Sequence, residues 1–326
     1  MLNKDFYSTI LAQVISPCGN YLVTGDTSGK LSVFHLSKIT QSDVVLSKED
    51  LLPKYKIIVK EGFQINSLLT TPQFLIVGVV GEIFGYNWKS IRTTNPQRNK
   101  PDWSIDIPNR KNTLDTMDIN VINYDTINNH IFVGCGDTIY VFDLERRKLL
   151  KNLSKHVDCV NCLSNSETDL ISGADDGVVN IWDLRSYKVT NKIVPHLSEP
   201  VARTELGKWI GAVSANEDYV LCGGGPRLSL WHYRFLTYST VFPMDDKGIH
   251  VAEIYKEKIL AGGRSRLFYQ MSFIGDVISE IPVSAATIYS IVHQEEPHNV
   301  SCLAGSSPKV DVCSSFMYKN QQLSLY

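Results

Sequence analysis

The stretch SGADDGVVNIWDLRSY, residues 172–187, predicts a β-hairpin and decides the fold. Apolar residues on both sides of Asp175-Asp176-Gly177 supply the two strands. The turn fits between them because Gly accepts a positive φ and Asp bonds locally to the backbone. Trp182-Asp183 closes the second strand, nine residues after Gly173. This spacing can be searched for along the chain.

The same spacing recurs. Five weaker copies place a glycine ahead of an aromatic residue: Gly25 before Phe34, Gly78 before Tyr86, Gly134 before Phe142, Gly223 before Trp231 and Gly262 before Tyr269. A seventh copy, Gly305 before Val312, has the strand without the aromatic. The mean interval of roughly 46 residues is close to the ~40–45 of a WD-type propeller repeat.

These copies predict an all-β chain, because short alternating strands with Gly turns fill it and no segment keeps a helical period. We expect one domain over residues 1–326, a seven-bladed WD-repeat β-propeller with about four strands a blade. An open pair of β-sandwiches is the alternative. The outer strand of the last blade is left open between the C-terminal QQLSLY (321–326) and the N-terminal residues.

Composition narrows the class of protein. The chain is 43% hydrophobic and 20% charged, as globular proteins are, and its net charge of −2 gives no global attraction to nucleic acid. Its longest apolar run, FLIVGVV at 74–80, is too short to span a bilayer, and Asp5 interrupts any signal peptide. Seven scattered cysteines suit reduced thiols inside a cell. We expect no membrane partner.

The fourth copy carries a candidate hydrogen-bonded tetrad: His156, Ser172, Asp176 and Trp182. A buried indole N–H needs an acceptor, and a neutral histidine can join a serine to a turn carboxylate. The alternative is a hydrolase trio of Ser, His and Asp. A nucleophile needs an exposed elbow and an oxyanion hole, whereas Ser172 is predicted in mid-strand. We therefore predict a structural role.

Other motifs do not indicate catalysis. Cys159 and Cys162 form a single CxxC without a second ligand pair, so two packed thiols are expected rather than zinc or redox chemistry. Gly223-Gly224-Gly225-Pro226 lacks the GK[ST] and helix of a phosphate loop and predicts a turn. We expect no enzyme, no cofactor, no metal and no small-molecule substrate.

A long basic loop insertion is predicted at about residues 89–115. Six basic residues face two acidic ones over 89–111. Loops of this length in compact domains are often functional. The candidate contacts to RNA or an acidic partner are Arg92, Arg98, Lys100, Trp103, Arg110 and Lys111. The alternative is a solvated loop whose Trp103 packs on a blade edge.

Three blocks resemble the THO complex subunit 6 family of WD-repeat proteins: residues 14–37, 172–185 and, most specifically, 208–234 followed by TVFP at 240–243. The resemblance runs from about Val14 to Tyr326. It implies a nuclear, non-catalytic scaffold subunit of the THO/TREX complex, acting in messenger-RNA processing and export. It also implies contact with other THO subunits, especially the coiled-coil subunits 5 and 7, and only indirect contact with mRNA.

A second function is kept open by the WDxR ending of the fourth copy. Asp183 and Arg185 resemble the box through which some propellers dock on the adaptor of cullin-RING ubiquitin ligases. Arg185 would be a charged anchor able to bond a carboxylate bidentately. Such a protein would be a substrate receptor of a ligase. In the structural alternative, Arg185 bonds a loop carbonyl.

Overall fold

Four consecutive strands form each of seven sheets in a computed structural model of the chain. The chain is thus a seven-bladed β-propeller, which confirms the predicted fold class. The structure describes residues 4–40, 45–91, 100–108, 117–244, 247–314 and 316–326. Two compact units are described separately, 1–119 with 281–326 and 120–280.

Each blade takes its four strands in chain order, the last being the outer strand. Blades 1 to 3 comprise β1 Ile10–Ile15, β2 Tyr21–Asp26, β3 Lys30–His35, β4 Tyr55–Ile58, β5 Ser67–Thr70, β6 Phe74–Val79, β7 Glu82–Asn87, β8 Trp103–Asp106, β9 Ile119–Asp125, β10 His130–Cys135, β11 Thr138–Asp143 and β12 Lys148–Leu153. Blades 4 and 5 comprise β13 Val160–Asn165, β14 Asp169–Ala174, β15 Val179–Asp183, β16 Lys188–Ile193, β17 Ile210–Ala215, β18 Tyr219–Gly224, β19 Ser229–His232 and β20 Tyr238–Val241. Blades 6 and 7 comprise β21 Ile249–Tyr255, β22 Lys258–Gly263, β23 Leu267–Met271, β24 Val277–Pro282, β25 Ile288–Gln294, β26 Val300–Gly305, β27 Lys309–Ser314 and β28 Tyr318–Ser324.

Helices are short. Within the described residues, two single-turn α-helices follow third strands, α1 Leu36–Ile39 after β3 and α2 Trp88–Ile91 after β7. The same residues include 3₁₀ helices at Lys4–Tyr7, Lys48–Leu51, Pro195–Leu197 and Thr204–Leu206. Within the described ranges no helix has the length and apolar character that crossing a bilayer requires.

The repeated glycine of the sequence pattern marks a close approach between neighbouring blades. A Cβ added at Gly173 in β14 would lie 2.5 Å from Ile210 Cγ2 of blade 5. A Cβ at Gly25 in β2 would lie at the same distance from Ile65 Cγ2, just ahead of blade 2. Since real Cβ atoms do not approach so closely, glycine recurs where a β-branched residue of the next segment packs on the second strand. The repeat therefore encodes blade stacking.

In the first unit, the outer strand of blade 7 comes from the C-terminus. Strand β28 pairs with β27, with Val310 opposite Leu323. Blade 7 packs on blade 1, where Gln13 Nε2 donates to the carbonyl oxygens of Ser290 (3.1 Å) and Cys302 (3.3 Å). The question that the sequence left open is resolved in favour of the C-terminal segment.

In the second unit, each core is shared by consecutive blades. Phe132 of blade 3 and Trp182 of blade 4 belong to one apolar cluster, and Ile171 of blade 4 and Trp231 of blade 5 belong to the next. A single blade cannot bury both faces of its sheet, so burial is completed by the neighbour.

Candidate functional site

The four residues of the predicted tetrad form one hydrogen-bonded chain in blade 4. Trp182 Nε1 donates to Ser172 Oγ (2.8 Å), and Ser172 Oγ lies 2.8 Å from His156 Nε2. His156 Nδ1 lies 2.9 Å from Asp176 Oδ2. Because a carboxylate only accepts, Nδ1 is the donor to Asp176. The Ser172 hydroxyl accepts from the indole, and in the tautomer with Nε2 unprotonated it donates to His156, so the four side chains form one continuous hydrogen-bonded chain.

Backbone groups tie the tetrad to two turns. Asp176 Oδ2 also accepts from Val157 N (3.1 Å), and Oδ1 accepts from Val178 N (2.9 Å). Gly177 completes the turn with φ +81°, a conformation that glycine adopts without steric cost. One carboxylate therefore fixes the turn between β14 and β15 and the segment leading into β13.

Burial decides against the hydrolase alternative. The Ser172 side chain has 0% exposure and Trp182 has 1%. The Ser172 hydroxyl accepts from an indole and lies in the middle of β14, so a substrate carbonyl has no approach to it. The arrangement holds the blade together and offers no nucleophile.

Blade 5 contains a reduced version of the tetrad. Trp231 Nε1 donates to Ser229 Oγ (2.8 Å), whose hydroxyl lies 3.5 Å from the Cys222 carbonyl oxygen. Blade 4 has a fifth member that sequence reasoning missed, since Asn180 Nδ2 lies 3.1 Å from His156 Nε2. Its place two residues before the tryptophan is a signal that could have found it.

The WDxR ending lies at the surface. Asp183 Oδ1 accepts from Arg185 N (3.1 Å), and Oδ2 accepts from Ser186 Oγ (2.7 Å). The Ser186 bond and then the Arg185 amide lower the pKa of Asp183. The Arg185 side chain is exposed, and the described residues offer its guanidinium no ion pair. In blade 3 the equivalent turn differs, because Arg146 Nη1 folds back onto Asp143 Oδ2 (3.0 Å).

The predicted basic insertion is not a loop throughout. Trp103–Asp106 is strand β8, the outer strand of blade 2. Trp103 is 6% exposed, lies edge-on to Phe74 with ring centroids 5.6 Å apart, and would clash with any Cβ at Gly85. Of the two possibilities that the sequence left open for Trp103, the structure contains packing on a blade edge, and a side chain this buried offers a partner little surface. Lys100 is exposed. The candidates outside the described residues are Arg92, Arg98, Arg110 and Lys111.

The family-specific block at 208–234 forms a compact arrangement at the start of blade 5. The buried Arg203, which the sequence did not single out, donates from Nε to the Gly225 carbonyl (2.8 Å) and from Nη2 to those of Gly224 and Pro226 (3.2 Å each). A Cβ at Gly224 would lie 2.1 Å from the carbonyl oxygen of Trp209. The glycine run therefore serves close backbone packing around a cation, in keeping with the predicted turn.

Trp209 extends this arrangement to blade 6. Its indole stacks on His250 with ring centroids 5.1 Å apart, and its Nε1 donates to the Leu206 carbonyl (3.0 Å). Burial lowers the pKa of His250 to about 4, so the ring is neutral near neutral pH.

The two cysteines of the CxxC motif differ in environment. Cys162 is buried, its Sγ lies 3.7 Å from the Gly173 carbonyl oxygen, and burial raises its pKa. Cys159 is partly exposed, with a pKa also raised by burial, and it groups with Asp158 and Asp175. A raised pKa keeps both thiols protonated and disfavours metal binding and nucleophilic chemistry.

Comparisons with known proteins agree with the fold. The family model described as WD domain, G-beta repeat, matches residues 147–183. The WD40 beta propeller domain of Doa1 superposes with a TM-score of 0.70 and 13% identity, covering 92% of this chain and 91% of that one, a likeness that shows the fold alone.

Curated relatives carry one name. THO complex subunit 6 of Drosophila melanogaster is 31% identical over 99% of this chain and 91% of that protein. The Homo sapiens protein of the same name is 30% identical over 98% and 94%, respectively. Its Arabidopsis thaliana namesake is 23% identical over 74% and 68%. The relatives are named as subunits of a complex.

Proposed function

The chain belongs to the THO complex subunit 6 family, and we propose that it is a non-catalytic scaffold subunit of a THO complex. The observation that carries the proposal is similarity over nearly the whole chain to relatives that bear this name. We further propose that it acts in the nucleus, in messenger-RNA processing and export as part of TREX. Its partners would be other THO subunits, in particular 5 and 7, with mRNA contacted indirectly.

The geometry supports a scaffold in two ways. The side chains that resemble a catalytic trio are part of the packed interior, since Ser172 and His156 are buried and hydrogen-bonded to each other. Stacked four-stranded blades are stiff, so surface groups are presented with little loss of conformational entropy on binding. Binding energy can then go into contacts rather than into ordering the surface.

One observation favours a second candidate function, a substrate receptor of a cullin-RING ubiquitin ligase. Arg185 is exposed directly after the blade 4 strand and makes no ion pair within the described residues. A free guanidinium can bond an adaptor carboxylate bidentately. The two functions differ in the proteins that should accompany this chain and in their dependence on Arg185.

Affinity purification of the tagged chain from nuclear extract, with quantitative mass spectrometry, distinguishes the two candidate functions. Wild type is compared with Arg185→Ala and with the matched control Arg234→Ala, which changes an exposed arginine in the equivalent turn of blade 5. We expect the other THO subunits with all three. A ligase adaptor that dominates and disappears only with Arg185→Ala, while THO subunits stay at background, would refute the proposal.

A further inference from the structure

Lysines are concentrated on the outer strands of blades 3 and 4. Strand β12 carries Lys148 and Lys151, strand β16 carries Lys188 and Lys192, and neither strand contains an acidic residue. Among the five other outer strands of the described chain, β4 and β28 have one lysine each and the rest have none. The feature is therefore particular to two neighbouring blades.

These lysines belong to a larger set of exposed cations, which we term the basic rim: Lys148, Lys151, Lys155, Arg185, Lys188 and Lys192. Where the structure describes the chain, none of the six forms an ion pair. The lone lysine of β28 differs, since Lys319 Nζ lies 3.4 Å from Asp311 Oδ1. Within the described residues the basic rim therefore has no ion-pair partner, and Asp183 is the carboxylate on which Arg185 acts electrostatically.

Hydrogen bonds join the two blades that carry the basic rim. Tyr187 Oη, in the turn before β16, lies 3.2 Å from His130 Nδ1 of blade 3. Asn120 Nδ2 and Asn123 Nδ2 of blade 3 donate to the carbonyl oxygens of Val160 and Leu163 in blade 4 (3.1 Å each). The two lysine-bearing outer strands therefore belong to neighbouring blades that are fixed against each other.

The local charge opposes that of the whole chain. Residues 143–155 and 183–194 contain eight Lys or Arg and three acidic residues, Asp143, Glu145 and Asp183, whereas the chain has 34 acidic against 32 basic residues. Such a patch attracts anionic partners and raises their local concentration. The charge of the basic rim therefore suits an acidic occupant.

Apolar side chains within the patch indicate which kind of acidic partner fits. Leu149 and Leu150, between the two lysines of β12, are 38% and 46% exposed. A phosphate backbone gains nothing from leucines, and single-stranded nucleic acid favours aromatic residues on which bases stack. Tyr187 is the aromatic residue of these two segments, and its hydroxyl lies against His130. Exposed leucines flanked by lysines match a protein segment that alternates apolar with acidic side chains.

Pairing of a partner strand with β12 is disfavoured. The register between β11 and β12 shifts after Val141, leaving a bulge at Leu150. Bulges and lysines are features that keep outer strands from adding further strands. Recognition then rests on side chains.

We infer that the basic rim docks an acidic protein segment bearing apolar side chains. The inference refines the proposed scaffold role by naming the surface and the chemistry of its partner. The charges steer and orient the segment, and Leu149 and Leu150 bury part of its apolar face.

The test measures binding of the full chain to three fluorescent probes of equal charge: a Glu/Leu peptide, a Glu/Ser peptide and an oligouridylate. We expect the Glu/Leu peptide to bind most tightly. The basic-rim variant combines Lys148→Gln, Lys151→Gln, Lys188→Gln and Lys192→Gln. It should weaken that binding on the order of 10-fold, since four exposed charges contribute modestly each. The control removes four exposed cations elsewhere: Lys208→Gln, Lys247→Gln, Arg264→Gln and Arg266→Gln.

A second variant, Leu149→Ser with Leu150→Ser, tests the apolar component. It should weaken the Glu/Leu peptide about fivefold and leave the Glu/Ser peptide unchanged, because only the former buries leucine. Melting temperatures establish that each variant is folded.

An equal loss of affinity for the Glu/Leu peptide in the basic-rim and control variants would overturn the inference. An affinity that is unchanged in both variants would overturn it as well. The oligouridylate serves as the contrary case: if it binds more tightly than the Glu/Leu peptide, loses affinity in the basic-rim variant and keeps it in the leucine variant, the surface binds nucleic acid instead. These probes contain no THO subunit, so failure here leaves the proposed complex membership standing, and absence of THO subunits in the purification leaves the basic rim standing.

Discussion

Replacing Ser172 by alanine removes both hydrogen bonds that this hydroxyl makes, and the two partners that remain are affected differently. The substitution leaves the Trp182 N–H, whose side chain is 1% exposed, without its acceptor at 2.8 Å. It also removes the partner 2.8 Å from His156 Nε2, which keeps Asn180 Nδ2 at 3.1 Å. The indole is thus the group left unsatisfied.

The magnitude follows from these two losses. An orphaned buried donor costs ~1–3 kcal/mol, and a lost neutral hydrogen bond costs ~0.5–1.5 kcal/mol. We expect Ser172→Ala to lower the free energy of unfolding by roughly 2–4 kcal/mol. In a Trp182→Phe background no indole N–H exists to be orphaned, so the same serine substitution should cost less by ~1–3 kcal/mol.

Urea unfolding followed by circular dichroism measures this cycle without relying on tryptophan fluorescence. Blade 5 supplies the matched control, since Ser229 accepts from Trp231 at the same 2.8 Å but bonds no histidine. Ser229→Ala should therefore cost ~0.5–1.5 kcal/mol less than Ser172→Ala. An unchanged unfolding free energy for Ser172→Ala, or an equal cost in the Trp182 and Phe backgrounds, would refute the tetrad reasoning.

Three further predictions follow from buried positions. Trp182→Ala should lower the unfolding free energy by ~3–5 kcal/mol in the same urea assay, as a large core truncation, and an unchanged midpoint would contradict this. Gly224→Ala should cost ~1–3 kcal/mol because its Cβ would overlap the Trp209 carbonyl oxygen at 2.1 Å, and a thermal melt at the wild-type temperature would count against that contact. Because burial lowers the pKa of His250 from 6.5 to about 4, folding favours the neutral ring. This contribution to stability is present above pH 6.5 and is lost as the pH falls towards 4; His250→Phe should flatten that part of a stability profile, and an unaltered profile would exclude the assignment.

The blade architecture could be predicted because a similar pattern recurs along the chain. A glycine allows a neighbouring segment to pack on the second strand, and a residue seven to nine positions later, aromatic in six of the seven copies, follows on the third strand. Gly173 and Trp182 show both parts in blade 4. The tetrad could also be predicted from the sequence, since His156, Ser172 and Asp176 are residue types that can hydrogen-bond in a chain with a buried indole.

Other features depend on contacts that leave no pattern in the sequence. Arg203 donates to backbone carbonyl oxygens, which every residue type supplies. The pattern of side chains therefore contains no signal that predicts these hydrogen bonds. The sequence left Trp103 open between a loop anchor and packing on a blade edge because β8 follows a long connection; pairing with β7 places its ring on Gly85. The basic rim takes its six cations from two blades that are neighbours in the fold, and the net charge of −2 for the whole chain gives no sign of this local excess.

We propose that this chain is a stoichiometric subunit of a THO complex, held there by protein contacts. Purification of the tagged chain at its natural abundance after ribonuclease treatment, with absolute quantification of each copurifying protein, tests this proposal. We predict that other THO subunits, with 5 and 7 among them, remain at amounts comparable to the chain itself. THO subunits at background, or their loss after ribonuclease treatment, would contradict the claim.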